Sequence, residues 1–166
     1  MRPADFSRYE ERKGEKMPSY EKYEQDCERI RSINSKLLED FETWLATKKL
    51  SPKTVEKHSS NVDFYINEFL LYEDAIEAKN GVGSVSMFLG YWFIRKAMWA
   101  SQSSIKENAS SLKKFYQYML EKGFIEQQDL DELKLTIKEE MPEWLATVRR
   151  YDDPDIEDME EVWGFK

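Results

Sequence analysis

Apolar side chains return every three or four positions through most of this chain, and few residues interrupt them. Leu37, Leu38, Phe41, Trp44 and Leu45 follow this spacing first. Val55, Val62, Ile66 and Phe69 continue it with the small Ser59 between them, then Val85, Phe88, Leu89 and Trp92, and then Ile105, Ala109, Leu112, Tyr116 and Met119. Such spacing gathers side chains on one face of a helix, whereas in a strand it would scatter them over both faces. Only six glycines and five prolines occur among 166 residues, too few for a turn-rich sandwich or barrel. The expected fold class is all-α.

Start and stop signals place the helices. To about Pro18 the sequence is charged, poor in aliphatic residues and aperiodic, as in a flexible arm. From Ser19 a helix carries Tyr20, Tyr23, Cys27 and Ile30 at helical spacing, and it either packs on the domain or continues towards the next helix, expected from about Ser35 to Lys49. Ser51 can cap a second helix, and Pro52 occupies its first position, where a missing N–H costs nothing. Asn80 to Gly83 forms a turn. Ser84 then opens a third helix, and Tyr91, Phe93 and Ile94 add apolar groups on its other sides, marking it as the most enclosed. A fourth runs from about Ser104 to Lys122; Gly123 ends it in the left-handed conformation and Phe124 folds back on its last turn. Leu130, Leu133 and Ile137 predict a fifth helix that stops before Pro142, and Trp144, Leu145 and Val148 a short sixth. Asp153 and Pro154 could cap one last helix. No internal repeat is visible. Three segments result: an arm and helix over 1–33, a helical domain over 34–126, and an acidic helical extension over 127–166.

With 40% apolar residues, the chain can bury a core as one domain with tails. No run approaches the roughly 18 apolar residues of a membrane span, and the start at Met1 has no signal-peptide character, so no membrane partner and a cytoplasmic location are expected. The single cysteine, Cys27, excludes an intrachain disulfide and a multi-cysteine zinc site, and reads as a small apolar filler. The net charge of −8 is unevenly spread. Residues 1–33 carry 8 basic and 8 acidic side chains, residues 34–126 carry 12 and 12, and residues 127–166 carry 5 and 13. The whole negative excess sits in the last segment, so overall charge says little about the partners of the middle one.

Two polar strips remain once the buried stripes are assigned. On the fourth helix Ser103, Lys106, Ser110, Lys113 and Gln117 follow at steps of three or four without an acid. On the second, Lys53, Thr54, Lys57, His58 and Asn61 form a similar patch, with Glu56 and Asp63 turned away. Lysines interleaved with short hydroxyl and amide groups suit phosphate contact, because the ammonium supplies charge and the short groups donate hydrogen bonds without blocking approach. A solvated helix face is the plainer reading of either strip.

These residues carry a family resemblance. Leu50-Ser51-Pro52-Lys53-Thr54-Val55 with Val62 and Tyr65, then Ser104-Ile105 leading to Leu112-Lys113-Lys114-Phe115-Tyr116-Gln117-Tyr118-Met119 and Gly123-Phe124-Ile125, is similar to the core-binding domain of tyrosine recombinases, the SAM-like N-terminal domain of phage-type integrases. The resemblance covers roughly residues 34–126 and rests on helix patterns. It implies a compact four-helix SAM-like bundle, here with extra N- and C-terminal helices, that grips one face of duplex DNA. It also implies Lys53, Thr54, Lys57, Asn61, Ser103, Lys106 and Lys113 as the DNA contacts. His58 departs from the family's usual aromatic residue, and Lys113 from its frequent arginine, which removes bidentate base readout there and makes binding weakly sequence-specific.

A recombinase of this family also needs a second domain with arginines, a His-x-x-Arg element and a nucleophilic tyrosine. His58 is the only histidine and is followed by Ser59, Ser60 and Asn61, so that element cannot be built from this sequence. The last forty residues have the wrong charge for holding DNA. Asp153, Asp155 and Glu157 superficially resemble a calcium loop, but Asp158 stands where glycine is needed and Gly164 where a bidentate glutamate belongs. Gly81 and Gly83 precede a helix without the rest of a phosphate-loop signature. No enzyme activity, cofactor or metal is therefore expected. The reading is a non-catalytic DNA-binding module, an accessory or regulator of site-specific DNA recombination and integration. Its expected partners are double-stranded DNA, held weakly and largely without sequence preference, and a separate recombinase catalytic subunit or a basic protein. The alternative is a protein-interaction module whose acidic end, with Ile156, Met159, Val162 and Trp163, docks on a basic partner as an amphipathic helix. That end could equally pack on its own domain, stay solvated, or cover the lysine strips in competition with DNA.

Overall fold

A computed structural model of the chain describes residues 18–164, so the arm expected over the first seventeen residues lies outside them. The elements are α1 (Pro18–Thr47); α2 (Pro52–Asp63), prolonged by a wider π-helical turn (Phe64–Phe69); two 3-10 turns (Ala78–Asn80 and Val82–Ser84); α3, built of contiguous pieces Val85–Met87, Phe88–Trp92 and Phe93–Lys96; α4 (Gln102–Glu121); α5 (Gln127–Asp152); and α6 (Met159–Trp163). The described residues contain no strand, and the protein is all-α.

The two expected N-terminal helices are one. Nothing between Ile30 and Ser35 breaks a helix, and Asn34 at the join is fully buried. Its side-chain amide donates to the Ile66 carbonyl (3.3 Å) and to Asn67 Oδ1 (2.8 Å), which pins the middle of α1 to the π-helical turn. Further back, Cys27 and Ile30 form a small apolar cluster with Leu71, and the Tyr23 hydroxyl donates to the Leu71 carbonyl. The first half of α1 therefore both packs on the domain and continues into the second. α1 ends at Thr47, two residues before the expected Lys49, which itself takes a positive φ of 63°.

One core collects Phe41 and Leu45 from α1, Val62, Tyr65 and Ile66 from the α2 segment, Phe88, Leu89 and Phe93 from α3, and the apolar face of α4. Each such side chain contributes roughly 1.5–3 kcal/mol when fully buried. Two phenols inside it serve as fasteners: Tyr65 Oη donates to the Gly81 carbonyl (2.5 Å) and Tyr116 Oη to the Ala78 carbonyl (2.7 Å). Burial pushes both hydroxyls well above their usual ionisation range, so they remain neutral donors holding the 3-10 turns.

Ser51 and Pro52 act as expected, the serine hydroxyl accepting from the Thr54 N–H at 3.2 Å. Gly123 (φ 78°) terminates α4, and the Phe124 N–H returns to the Met119 carbonyl, while the phenyl ring stays half-exposed. α5 corrects the expectation of a stop before Pro142 and a separate sixth helix. It runs unbroken through the proline because the apolar stripe Leu133, Ile137, Trp144, Val148 stays on one face across it, and all four are buried. Burying Trp144 and Val148 offsets a proline defect of about 3 kcal/mol. Because α5 reaches Asp152, Asp153 falls at its C-terminal end instead of capping the last helix. Asp158 performs that cap, accepting from the Glu160 N–H at 2.9 Å.

The acidic end packs on the domain. Val162 is buried, the Trp163 ring lies against Tyr91 (4.7 Å between centroids) and Tyr151 (5.9 Å), and Arg150 Nε donates to the Val162 carbonyl at 2.9 Å. None of these contacts involves the lysine strips.

Gly90 marks a close approach of α3 to α5, since a Cβ there would sit 2.8 Å from Trp144 Nε1 and 2.9 Å from its Cδ1. At Gly83 a Cβ would meet nothing within 4 Å. Gly90→Ala is therefore expected to destabilise by about 1–3 kcal/mol despite the better helix propensity of alanine, whereas Gly83→Ala stays neutral or gains up to about 1 kcal/mol. Urea denaturation of the two variants checks this contrast, and equal midpoints would remove the claim of tight α3–α5 packing.

Candidate nucleic-acid interface

α4 is the hub of the candidate site because α2 packs along one of its sides and α5 along another. It begins two residues earlier than expected. Ser101 is its cap, and Ser101 and Ser104 satisfy each other's N–H groups reciprocally at 3.0 and 2.8 Å.

The α2–α4 seam is polar. Ser111 Oγ lies 3.0 Å from the Glu107 carbonyl one turn back, accepts from Asn61 Nδ2 (3.0 Å) and hydrogen-bonds His58 Nδ1 (2.7 Å). Burial holds the imidazole below its ordinary titration range, Lys114 and Lys57 lower it further, and Glu107 opposes them. At the exposed edge of the seam Lys57 Nζ meets Glu107 Oε1 at 2.5 Å.

The seven expected contact residues thus separate. Asn61 spends its amide on Ser111, and Lys57 is paired with Glu107, so the patch on α2 is not free of acid as its own sequence suggested; the acid comes from α4. The Thr54 hydroxyl accepts from Ser51 Oγ at 2.9 Å inside the cap of α2. Ser103 is exposed, but it borders a groove of about 540 Å³ that also holds Arg149, Asp152 and Asp153. Lys53, Lys106 and Lys113 are exposed and have no carboxylate within ion-pair distance among the described residues. Lys106 and Lys113 stand two turns apart on α4, a rise of about 10.5 Å.

Two further lysines escaped the sequence reading. Lys134 and Lys138 on α5 line one groove with Lys113, so α5 contributes cations although its segment carries the whole negative excess. Their i, i+4 spacing was the available signal, hidden by the net charge of the surrounding segment. The exposed ridge of α4 consequently runs between the α2 seam and a lysine-lined wall of α5. Ammonium groups spread over two helices can meet successive phosphates of one backbone, which a single strip cannot.

Among the described residues, no helix is long and apolar enough to cross a membrane, and no group of three or more His, Cys, Asp or Glu side chains could hold a metal ion. Comparison with protein-family models, with curated proteins and with solved structures found no match.

Because His58 titrates below its usual value of 6.5 in the folded chain, the unfolded chain binds its proton first as pH falls. Stability is accordingly expected to decline from pH 6.5 downward through the folded-state value, and His58→Gln is expected to flatten that decline. Urea midpoints between about pH 7.5 and about pH 5 check it; an unchanged slope in the variant would contradict the assignment of His58 to the seam.

Proposed function

We propose that the protein is a non-catalytic DNA-binding module that holds duplex through the exposed ridge of α4, in the manner implied by its resemblance to integrase core-binding domains. The observation that carries this reading is the groove in which Lys113 on α4 meets Lys134 and Lys138 on α5, with Lys106 exposed two turns back on α4; none of the four has a carboxylate partner among the described residues. Lys53 at the start of α2 extends the cationic area, and Ser103 and Ser110 on the same helix as Lys106 offer short hydroxyl donors. Lysine contributes charge without the planar fork that reads guanine, so the module recognises backbone more than sequence. Such a role suits an accessory or regulator that positions DNA for a recombinase acting in a separate chain.

The proposal fixes magnitudes. Binding is expected in the non-specific range of about 10⁻⁴–10⁻⁶ M. If about four lysines neutralise phosphates, the log–log dependence on salt has a slope of about −3.6. Fluorescence anisotropy with a labelled duplex at low salt measures both. Lys106→Glu with Lys113→Glu is expected to abolish measurable binding, whereas charge reversal at Lys22, on the remote start of α1, leaves it level. No binding at low salt, or binding indifferent to the α4 pair, would sink the reading.

A further inference from the structure

The groove between α4 and α5 contains more than phosphate contact requires. Its volume is about 750 Å³, and beneath Lys113, Lys134 and Lys138 lie Ile137, Met141, Pro142 and Leu145. Phosphate oxygens gain nothing from an apolar floor, so these side chains are unused by a duplex. The lining includes three lysines and no carboxylate, while the grooves at Ser101–Ser103, at Gly83–Ser86, at Tyr72–Asp74 and beside Phe124 each include an aspartate or glutamate. Pro142 adds a further opening: lacking an N–H, it leaves the Lys138 carbonyl without its helical donor at the edge of the groove.

We propose that this groove is a docking site for an acidic amphipathic helix of a partner protein. The charge sign selects an anionic occupant, and the apolar floor requires one with aliphatic anchors. Lys134 to Leu145 spans eleven helical steps, about 16 Å, which matches three turns of a docked helix and exceeds what a small anion would cover. Apolar anchors at i, i+3, i+4 and i+7 would rest on Ile137, Met141 and Leu145, with carboxylates flanking them towards the three ammonium groups. The protein's own acidic end does not fill this role in the folded chain, because Val162 and Trp163 are committed on the Tyr91 and Tyr151 side. The inference does not rest on duplex binding, although Lys113, Lys134 and Lys138 serve both, so a partner helix seated here would displace DNA.

The test uses the full chain and a fluorescein-labelled peptide of about fifteen residues, with leucines at helical i, i+3, i+4 and i+7 positions and glutamates elsewhere. A scrambled peptide of the same composition is the control. The ordered peptide is expected to bind at least about tenfold more tightly than the scrambled one. Lys134→Glu with Lys138→Glu, both exposed, and separately Met141→Gln, are each expected to weaken it about tenfold or more. Equal affinity for the two peptides, no binding at all, or affinity unchanged in both variants would overturn the proposal. Met141→Gln also separates the two readings, since it is expected to leave duplex affinity level. A chain that binds the ordered peptide but no duplex would overturn the DNA reading alone.

Discussion

Everything in this fold depends on α4 serving two neighbours at once. Its apolar face enters the core, its Ser111 side closes a polar seam with α2, and its Gln102 to Lys113 side faces α5. A buried hydroxyl and imidazole are costly without partners, so Ser111 and His58 fix the distance and register of α2 on α4 more sharply than apolar packing alone would. Gln102 adds a bond to the Leu145 carbonyl at 3.2 Å, tying the start of α4 to the second half of α5. What remains of α4 is the ridge left to solvent, and the lysines found there follow from that double commitment.

α5 supplies the other wall of the cationic groove. Its sequence belongs to the most acidic part of the chain, yet no carboxylate lines the groove: Glu140 accepts from Ser86 Oγ and Glu143 from Arg150. Net charge per segment is therefore a poor guide to the charge of a face. The same helix shows why a proline is not always a stop. Pro142 is exposed, and the stripe that anchors α5 to α3 continues past it through Trp144, which Gly90 admits by having no side chain.

Much of the architecture was legible beforehand, for reasons that are local. The apolar stripes of α1 to α4, the Ser51–Pro52 start and the Gly123 stop each need only a few neighbouring residues to act, and each is found where the spacing placed it. The joining of two stretches into α1 turned on Asn34 meeting Ile66 and Asn67, a contact between distant parts of the chain that no local pattern announces. The π-helical turns at Phe64–Phe69 and Phe88–Trp92 were likewise invisible, since their aromatic residues satisfy an α-helical period equally well. At the candidate site, residue type and helical face were readable for Lys106 and Lys113. The engagement of Lys57 by Glu107 and of Asn61 by Ser111, and the arrival of Lys134 and Lys138, required the packing of three helices.

The central claim is that a polyanion lies along the exposed ridge of α4. Backbone amide shift mapping by two-dimensional NMR, with a short duplex titrated into the labelled chain at low salt, tests it most directly. The account expects the largest shifts to cluster between Ser103 and Gln117 on α4 and between Lys134 and Lys138 on α5, with α6 unmoved. Shifts confined to other surfaces, or none as duplex is added to saturation of the expected affinity range, would contradict it.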